Sequence, residues 1–126
     1  MYDKTLLQDK LEQINEAVSR IEKRFSTIGA PSDFLKTEPN QDKLDGIAML
    51  LIAIGESFKK IDKETKGEFL KQYPDIDWKG IIGVRHVLAH DYFDIDAEEI
   101  YKICKQDIPH LRKALERMLG AMKSNS

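Results

Sequence analysis

Arg85 and His90 are two residues whose types and spacing suit chemistry on a phosphate group. An unperturbed histidine, with a pKa near ~6.5, both takes and gives a proton at neutral pH. An arginine fork can hold a phosphate and the charge that grows on it in a transition state. The run Arg85-His86-Val87-Leu88-Ala89-His90 reads as one helix whose end, just before Asp91-Tyr92-Phe93-Asp94, lets a ring project into a cleft. On an ideal helix the two side chains are roughly 140° apart. They converge on one small group only if the helix ends near Ala89 and swings His90 round, or if two copies share a cleft across a two-fold axis. His86 and His90, four apart, share a face, but no third ligand with convincing spacing follows. Neither a metal site nor a cofactor is expected, and His86 is read as a polar neighbour that orients the site.

Trp78, Ile81, Ile82, Leu88 and Ala89 form an apolar stripe that takes in position 85. A guanidinium there costs heavily unless it is paired or reaches a solvent-filled cleft. Glu56 is the best partner within the chain. It continues a row begun by Met49 and Ile52, and it follows Gly55, whose missing side chain would let another helix approach. Gly83 is read as the other half of that contact. Each glycine costs a helix interior about 1 kcal/mol relative to alanine, so two of them near this charge imply a packing purpose. A purely structural Arg85 to Glu56 ion pair is the competing reading.

The elements that must position these residues are helices. Leu7, Leu11, Ile14, Val18, Ile21, Phe25 and Ile28 recur at steps of four and three and predict a long amphipathic helix ending at Gly29-Ala30-Pro31. Residues 32–39 read as a connector with one helical turn. Asn40 is the predicted N-cap of a second, central helix with Leu44, Ile47, Leu51, Ile54, Phe58 and Ile61 inside. A shorter helix is expected around Lys63 to Gln72, ending before Pro74, and Asp77 should cap a fourth helix from Trp78. A last helix starts at Asp96, with a capping-box pattern to Glu99, and should kink at Pro109. No segment shows the two-residue alternation of a strand. The expectation is an all-α, antiparallel bundle of four to five helices in one domain spanning residues 1–126.

Composition narrows the function classes. With 126 residues and 41% hydrophobic content the chain can bury a core. A net charge of −2 argues against a broad nucleic-acid surface, so any RNA chemistry must rest on a local basic site. Lys102, Lys105, Arg112, Lys113, Arg117 and Lys123 offer one such site, although a solvated helix face explains them as well. The longest apolar run, Ile47 to Gly55, is too short to span a bilayer, and the first residues lack a signal-peptide pattern, so a cytoplasmic protein with no membrane partner is expected. Cys104 has no partner for a disulfide and sits beside Ile100 and Ile103 as a small buried hydrophobe.

Arg85 to His90 matches the Arg-x4-6-His motif of HEPN domains. Ile54-Gly55-Glu56-Ser57, Tyr73-Pro74-Asp75-Ile76-Asp77-Trp78, the run Gly83 to Ile95 and Asp107-Ile108-Pro109 resemble the HepT-like branch in order and spacing. The likeness covers nearly the whole chain and is weak only before Asn40. It implies a homodimeric, metal-independent endoribonuclease whose composite cleft uses Arg85 and His90 on an RNA substrate. It further implies the toxin half of a type VII toxin–antitoxin pair, neutralised by a minimal nucleotidyltransferase antitoxin of the MntA type that AMPylates a tyrosine two residues past the motif histidine, here Tyr92. The residue after the arginine is often asparagine in this branch and is His86 here, which puts that position's role in doubt. In the mechanism this suggests, His90 takes the proton of a ribose 2′-hydroxyl, Arg85 stabilises the crowded phosphate and Glu56 orients Arg85. Three other functions fit the same residues: a catalytically silent module that partners the nucleotidyltransferase, an RNA binder that does not cut, and a structural dimer.

Overall fold

The structure, a computed structural model, describes residues 2–88 and 95–124. Helix α1, Lys4–Phe25, is started by Asp3, whose carboxylate accepts from the backbone N–H groups of Thr5 and Leu6. Its predicted seam is buried from Leu7 to Ile21. The helix stops at Phe25, a few residues before Gly29-Ala30-Pro31, and the chain turns into a 3-10 turn, Pro31–Leu35, that buries Phe34. Asp33 fixes that turn by accepting from the N–H groups of Gly29 and Ala30.

Helix α2, Glu38–Glu64, begins earlier than the sequence suggested. Thr37 is the N-cap, accepting from the Asn40 N–H at 3.1 Å, while Asn40 turns its amide back to the Asp33 carbonyl. Pro39 sits in the first turn, where its missing donor costs nothing. The predicted short helix over 63–72 is replaced by an extension of α2 to Glu64 and a 3-10 turn at Leu70–Gln72. Lys66 and Gly67 take positive φ, 53° and 78°, and the Gly67 N–H closes on the Asp62 carbonyl at 2.8 Å. That left-handed pair ends the helix. The buried Thr65 hydroxyl finishes the turn, donating to the Ile61 carbonyl and accepting from the Phe69 N–H.

Asp77 caps helix α3, Trp78–Ile82, as expected, by accepting from the Gly80 N–H. The predicted fourth helix is not continuous: a turn at Gly83 and Val84 separates α3 from the one-turn helix α4, Arg85–Leu88. Helix α5, Ala97–Lys102, is capped by Asp96 through the N–H groups of Glu98 and Glu99. The Asp96 N–H itself donates to the Leu88 carbonyl at 2.9 Å, so the reciprocal half of the capping box is not formed. Between α5 and α6, Ile108–Ser124, lies a π-helical turn, Ile103–Asp107. Pro109 cannot donate to the Lys105 carbonyl, and the wider turn just before it takes the place of the expected kink.

Helix α1 packs against α2 and α6, α2 packs against α3, and α5 lies on the 31–35 turn. The architecture is an all-α bundle, with Leu11, Ile21, Ile47, Phe58, Ile100 and Leu115 fully buried at its centre. Arg112 of α6 ties α1 down from the side, donating to Asn15, Ser19 and both carboxylate oxygens of Glu22. Cys104 is buried as expected, and burial pushes its thiol up to about 12. Among the described residues, no helix is long and apolar enough to cross a membrane.

Candidate active site

The sequence motif meets the fold where α3 passes over α2. A Cβ on Gly55 would lie 2.6 Å from the Ile81 carbonyl, 3.4 Å from that of Ile82 and 3.5 Å from Val84 Cγ1. The end of α3 therefore rests directly on the α2 backbone, as Gly55 suggested. Gly83 is not the other half of this contact, because a Cβ there would meet only the Lys79 carbonyl of its own turn, at 3.0 Å. Its use is to end α3 as the C-cap.

Arg85 opens α4 directly after that turn and is exposed, as is His86, while Val84 and Leu88 on either side are buried. The expected position on a buried stripe assumed one unbroken helix. The turn at 83–84 shifts the phase and leaves the guanidinium in solvent, so no desolvation cost has to be offset. Glu56 is exposed on α2, and no ion pair joins it to Arg85. Neither side chain has a salt-bridge partner among the described residues. His90 and Tyr92 lie outside the described residues, as do Ala89, Asp91, Phe93 and Asp94. The bond from the Asp96 N–H to the Leu88 carbonyl brings the chain back beside α4 and fixes the position three residues after Arg85.

At least three of the six basic residues singled out near the end of the chain are engaged within it. Arg112 is held by Glu22, Arg117 pairs with Asp75 at 2.9 Å above the Tyr73 ring, and Lys105 sits on Tyr101. These residues are held by partners within the chain, which is neither an open basic site nor a simple solvated face. A feature that sequence reasoning missed is a cleft of about 470 Å³ between α3 and α5–α6, with Asp75, Asp77, Glu99 and Asp107 at its rim and Ile54, Ile81 and Leu111 beneath. Two segments singled out in the sequence, 73–78 and 107–109, meet there, but nothing in their spacing showed that they would. Withdrawal from water in the cleft, then the nearby Asp77, push the Asp107 carboxyl above its usual range, against Lys102 and His110. No group of three or more His, Cys, Asp or Glu among the described residues is placed to hold a metal ion.

The model of the ribonuclease HepT-like family matches residues 14–118. The chain belongs to that family. A relative from Thermococcus cleftensis, named probable ribonuclease HepT, is 32% identical over 111 residues, covering 88% of this chain and 94% of that one. Another, from Methanocaldococcus jannaschii and named as a candidate RNase, is 29% identical over 113 residues, covering 90% of this chain and 93% of that one. No solved structure matches. The matched span takes in Arg85, His90 and Tyr92 as well as the Gly55 crossing, so the family supports a HEPN ribonuclease fold around the motif of this HepT-like chain.

Proposed function

We propose that this HepT-like chain is a metal-independent endoribonuclease, the toxin of a type VII toxin–antitoxin pair, acting through Arg85 and His90 at a cleft shared by two copies. The supporting observation is that Arg85, the first residue of the family motif, is exposed and without a salt-bridge partner among the described residues at the head of α4. An exposed guanidinium with no carboxylate on it is open to a phosphate, which its planar fork can hold through two hydrogen bonds. In the reaction, His90 takes the 2′-hydroxyl proton and O2′ attacks phosphorus. The bond to O5′ breaks, and the leaving oxygen takes a proton from the partner's His90. The products are a 2′,3′-cyclic phosphate and a 5′-hydroxyl, and Arg85 balances the charge on the phosphate throughout. His86 is a neighbour that tunes the site.

A second reading, the silent module that only partners a nucleotidyltransferase, is favoured by the acidic net charge and by the acid-rimmed cleft. Purified protein incubated with RNA in chelator separates the two. The active reading expects cyclic-phosphate ends from the parent protein and none from a folded His90→Ala variant. Uncut RNA from the parent leaves the silent module.

Neutralisation is assigned to Tyr92. An AMP group on its hydroxyl adds a bulky anion two residues past His90, which would compete with RNA phosphate for Arg85. Co-expression with a minimal nucleotidyltransferase should add an AMP-sized mass to the parent chain and none to Tyr92→Phe. The same mass on the phenylalanine variant would move the modification elsewhere.

A further inference from the structure

Two short helices carry Arg85 into place, and neither is long enough to hold itself. Helix α3 has five residues and α4 has four, well below the length of about 12 residues at which an isolated helix begins to persist in water. Their position has to come from what they rest on. Two contacts join α3 to α2. Near the end of α3, the Ile81 carbonyl lies so close to Gly55 that a Cβ there would be 2.6 Å from it. At its start, the half-buried Trp78 ring packs against the fully buried Phe58 ring, their centroids 4.7 Å apart. On each helix the two contact residues are three apart in sequence, close to one turn. Helix α3 is thus keyed onto α2 at two points, and it can neither slide nor swivel while both hold.

We infer that Trp78 is a positioning residue for Arg85 in the reaction proposed above, on which this reading rests. Its indole N–H donates to the Tyr73 carbonyl at 3.0 Å. Tyr73 is itself held, its ring 5.6 Å from that of Phe69 and under the Arg117 guanidinium at 5.5 Å. Arg117, on α6, also pairs with Asp75 of the same loop. One side chain therefore ties the first residue of α3 to α2 and, through the loop before it, to α6. From there a run of backbone hydrogen bonds leads to the motif. The N–H groups of Ile81, Gly83, Val84 and His86 donate in turn to the carbonyls of Asp77, Lys79, Ile81 and Gly83, at 2.9 to 3.4 Å.

This arrangement makes α3 a lever. Its pivot is Ile81 on Gly55, with Trp78 three residues before it and Arg85 four residues after. The two arms are of similar length, so a shift at Trp78 reaches Arg85 at much the same size. At a reacting group a shift of about 1 Å costs up to about 100-fold in rate. The Phe58 ring and the Tyr73 carbonyl are the contacts that deny Trp78 this freedom.

Trp78→Phe on the intact chain keeps a ring against Phe58 and removes the bond to Tyr73. It should still melt cooperatively, cut RNA with a kcat at least about 10-fold below the parent, and keep KM within about 2-fold. Amide hydrogen exchange reads the anchor without any activity. The N–H groups of Ile81, Gly83, Val84 and His86 should exchange at least about 10-fold faster than in the parent, while those of α1 and the middle of α2 keep the parental rate. Phe58→Leu removes the ring from the α2 side and leaves the indole bond, so it should give the same pattern, and it carries the test if Trp78→Phe does not fold. Unchanged exchange in α3 and α4 overturns the anchoring. Exchange that rises throughout the bundle, or a parental kcat in the folded variants, makes Trp78 a packing residue alone and overturns its role in the reaction. A parent that cuts no RNA, together with the local rise in exchange, sinks the ribonuclease and keeps Trp78 as the anchor of Arg85.

Discussion

Replacing Gly55 with alanine tests whether the Gly55 crossing sets the position of Arg85. The added Cβ would start 2.6 Å from the Ile81 carbonyl, and ordinary contact begins at 3.4 Å, so α3 must move off α2 by about 0.8 Å. Overpacking of this kind costs about 1–3 kcal/mol, while alanine returns about 1 kcal/mol of helix propensity. The two nearly cancel in the weakest case, so a control is needed. Gly120 supplies it: it lies in α6, is exposed, and a Cβ there meets nothing within 4 Å. Gly120→Ala should therefore gain the propensity alone and raise the melting temperature. The difference between the two alanine variants, measured by thermal denaturation in one buffer, should be about 1–3 kcal/mol, or roughly 4–12 °C for a domain of this size. Arg85 follows the displaced end of α3 by three residues, and a shift approaching 1 Å at a reacting group costs up to about 100-fold in rate. Cleavage by Gly55→Ala should fall while RNA binding changes little. If Gly55→Ala stabilises as much as Gly120→Ala and cuts RNA at the parental rate, the crossing is slack and the positioning role is wrong.

Arg112→Ala should lower stability by about 1–2 kcal/mol, since four hydrogen bonds to α1 are lost from a side chain only 20% exposed, but the freed Glu22 and Ser19 can turn to water. Arg112→Lys should recover only part of it in a urea titration, because one ammonium cannot span three acceptors; full recovery would reduce the clasp to its charge. Asp107→Asn should raise the melting temperature slightly at neutral pH. The folded carboxyl is raised above its unfolded value, so folding favours its protonated form, and the cost of the charged form disappears as pH falls below the unfolded value. The gain from asparagine should therefore vanish on acidification, and a gain that grew in acid would reverse the assigned direction.

The helices whose burial follows from a long, regular period were legible in the sequence. Leu7 to Ile21 and Leu44 to Ile61 face inward as their spacing requires, and Asp77 and Asp96 cap where a short acceptor precedes an apolar run. What escaped depends on backbone competition over a few residues. Thr37 took the cap from Asn40 because Pro39 fits only just inside the helix, leaving Asn40 to bond a carbonyl seven residues back. The positive φ at Lys66 and Gly67 ended α2 where propensity alone would have begun another helix. At the site, Gly55 was read correctly because a missing side chain has a single geometric use there. The burial of Arg85 was misread because Gly83 looked like a packing residue and is a helix stop, which moved the next turn out of phase.

The single bond from the Asp96 N–H to the Leu88 carbonyl has an evolutionary consequence. It staples the two ends of an excursion together, so α4 and α5 keep their places whatever number of residues is threaded between them. The conformational cost of closing such an excursion grows only with the logarithm of its length, about 0.6 kcal/mol for each doubling. Insertions and deletions that fall after Tyr92 are therefore cheap for the bundle and leave the spacing from Arg85 to His90 unchanged. Selection can redraw the chain that follows the motif, and with it whatever the site proposed around Arg85 engages, on a scaffold that never has to be refolded.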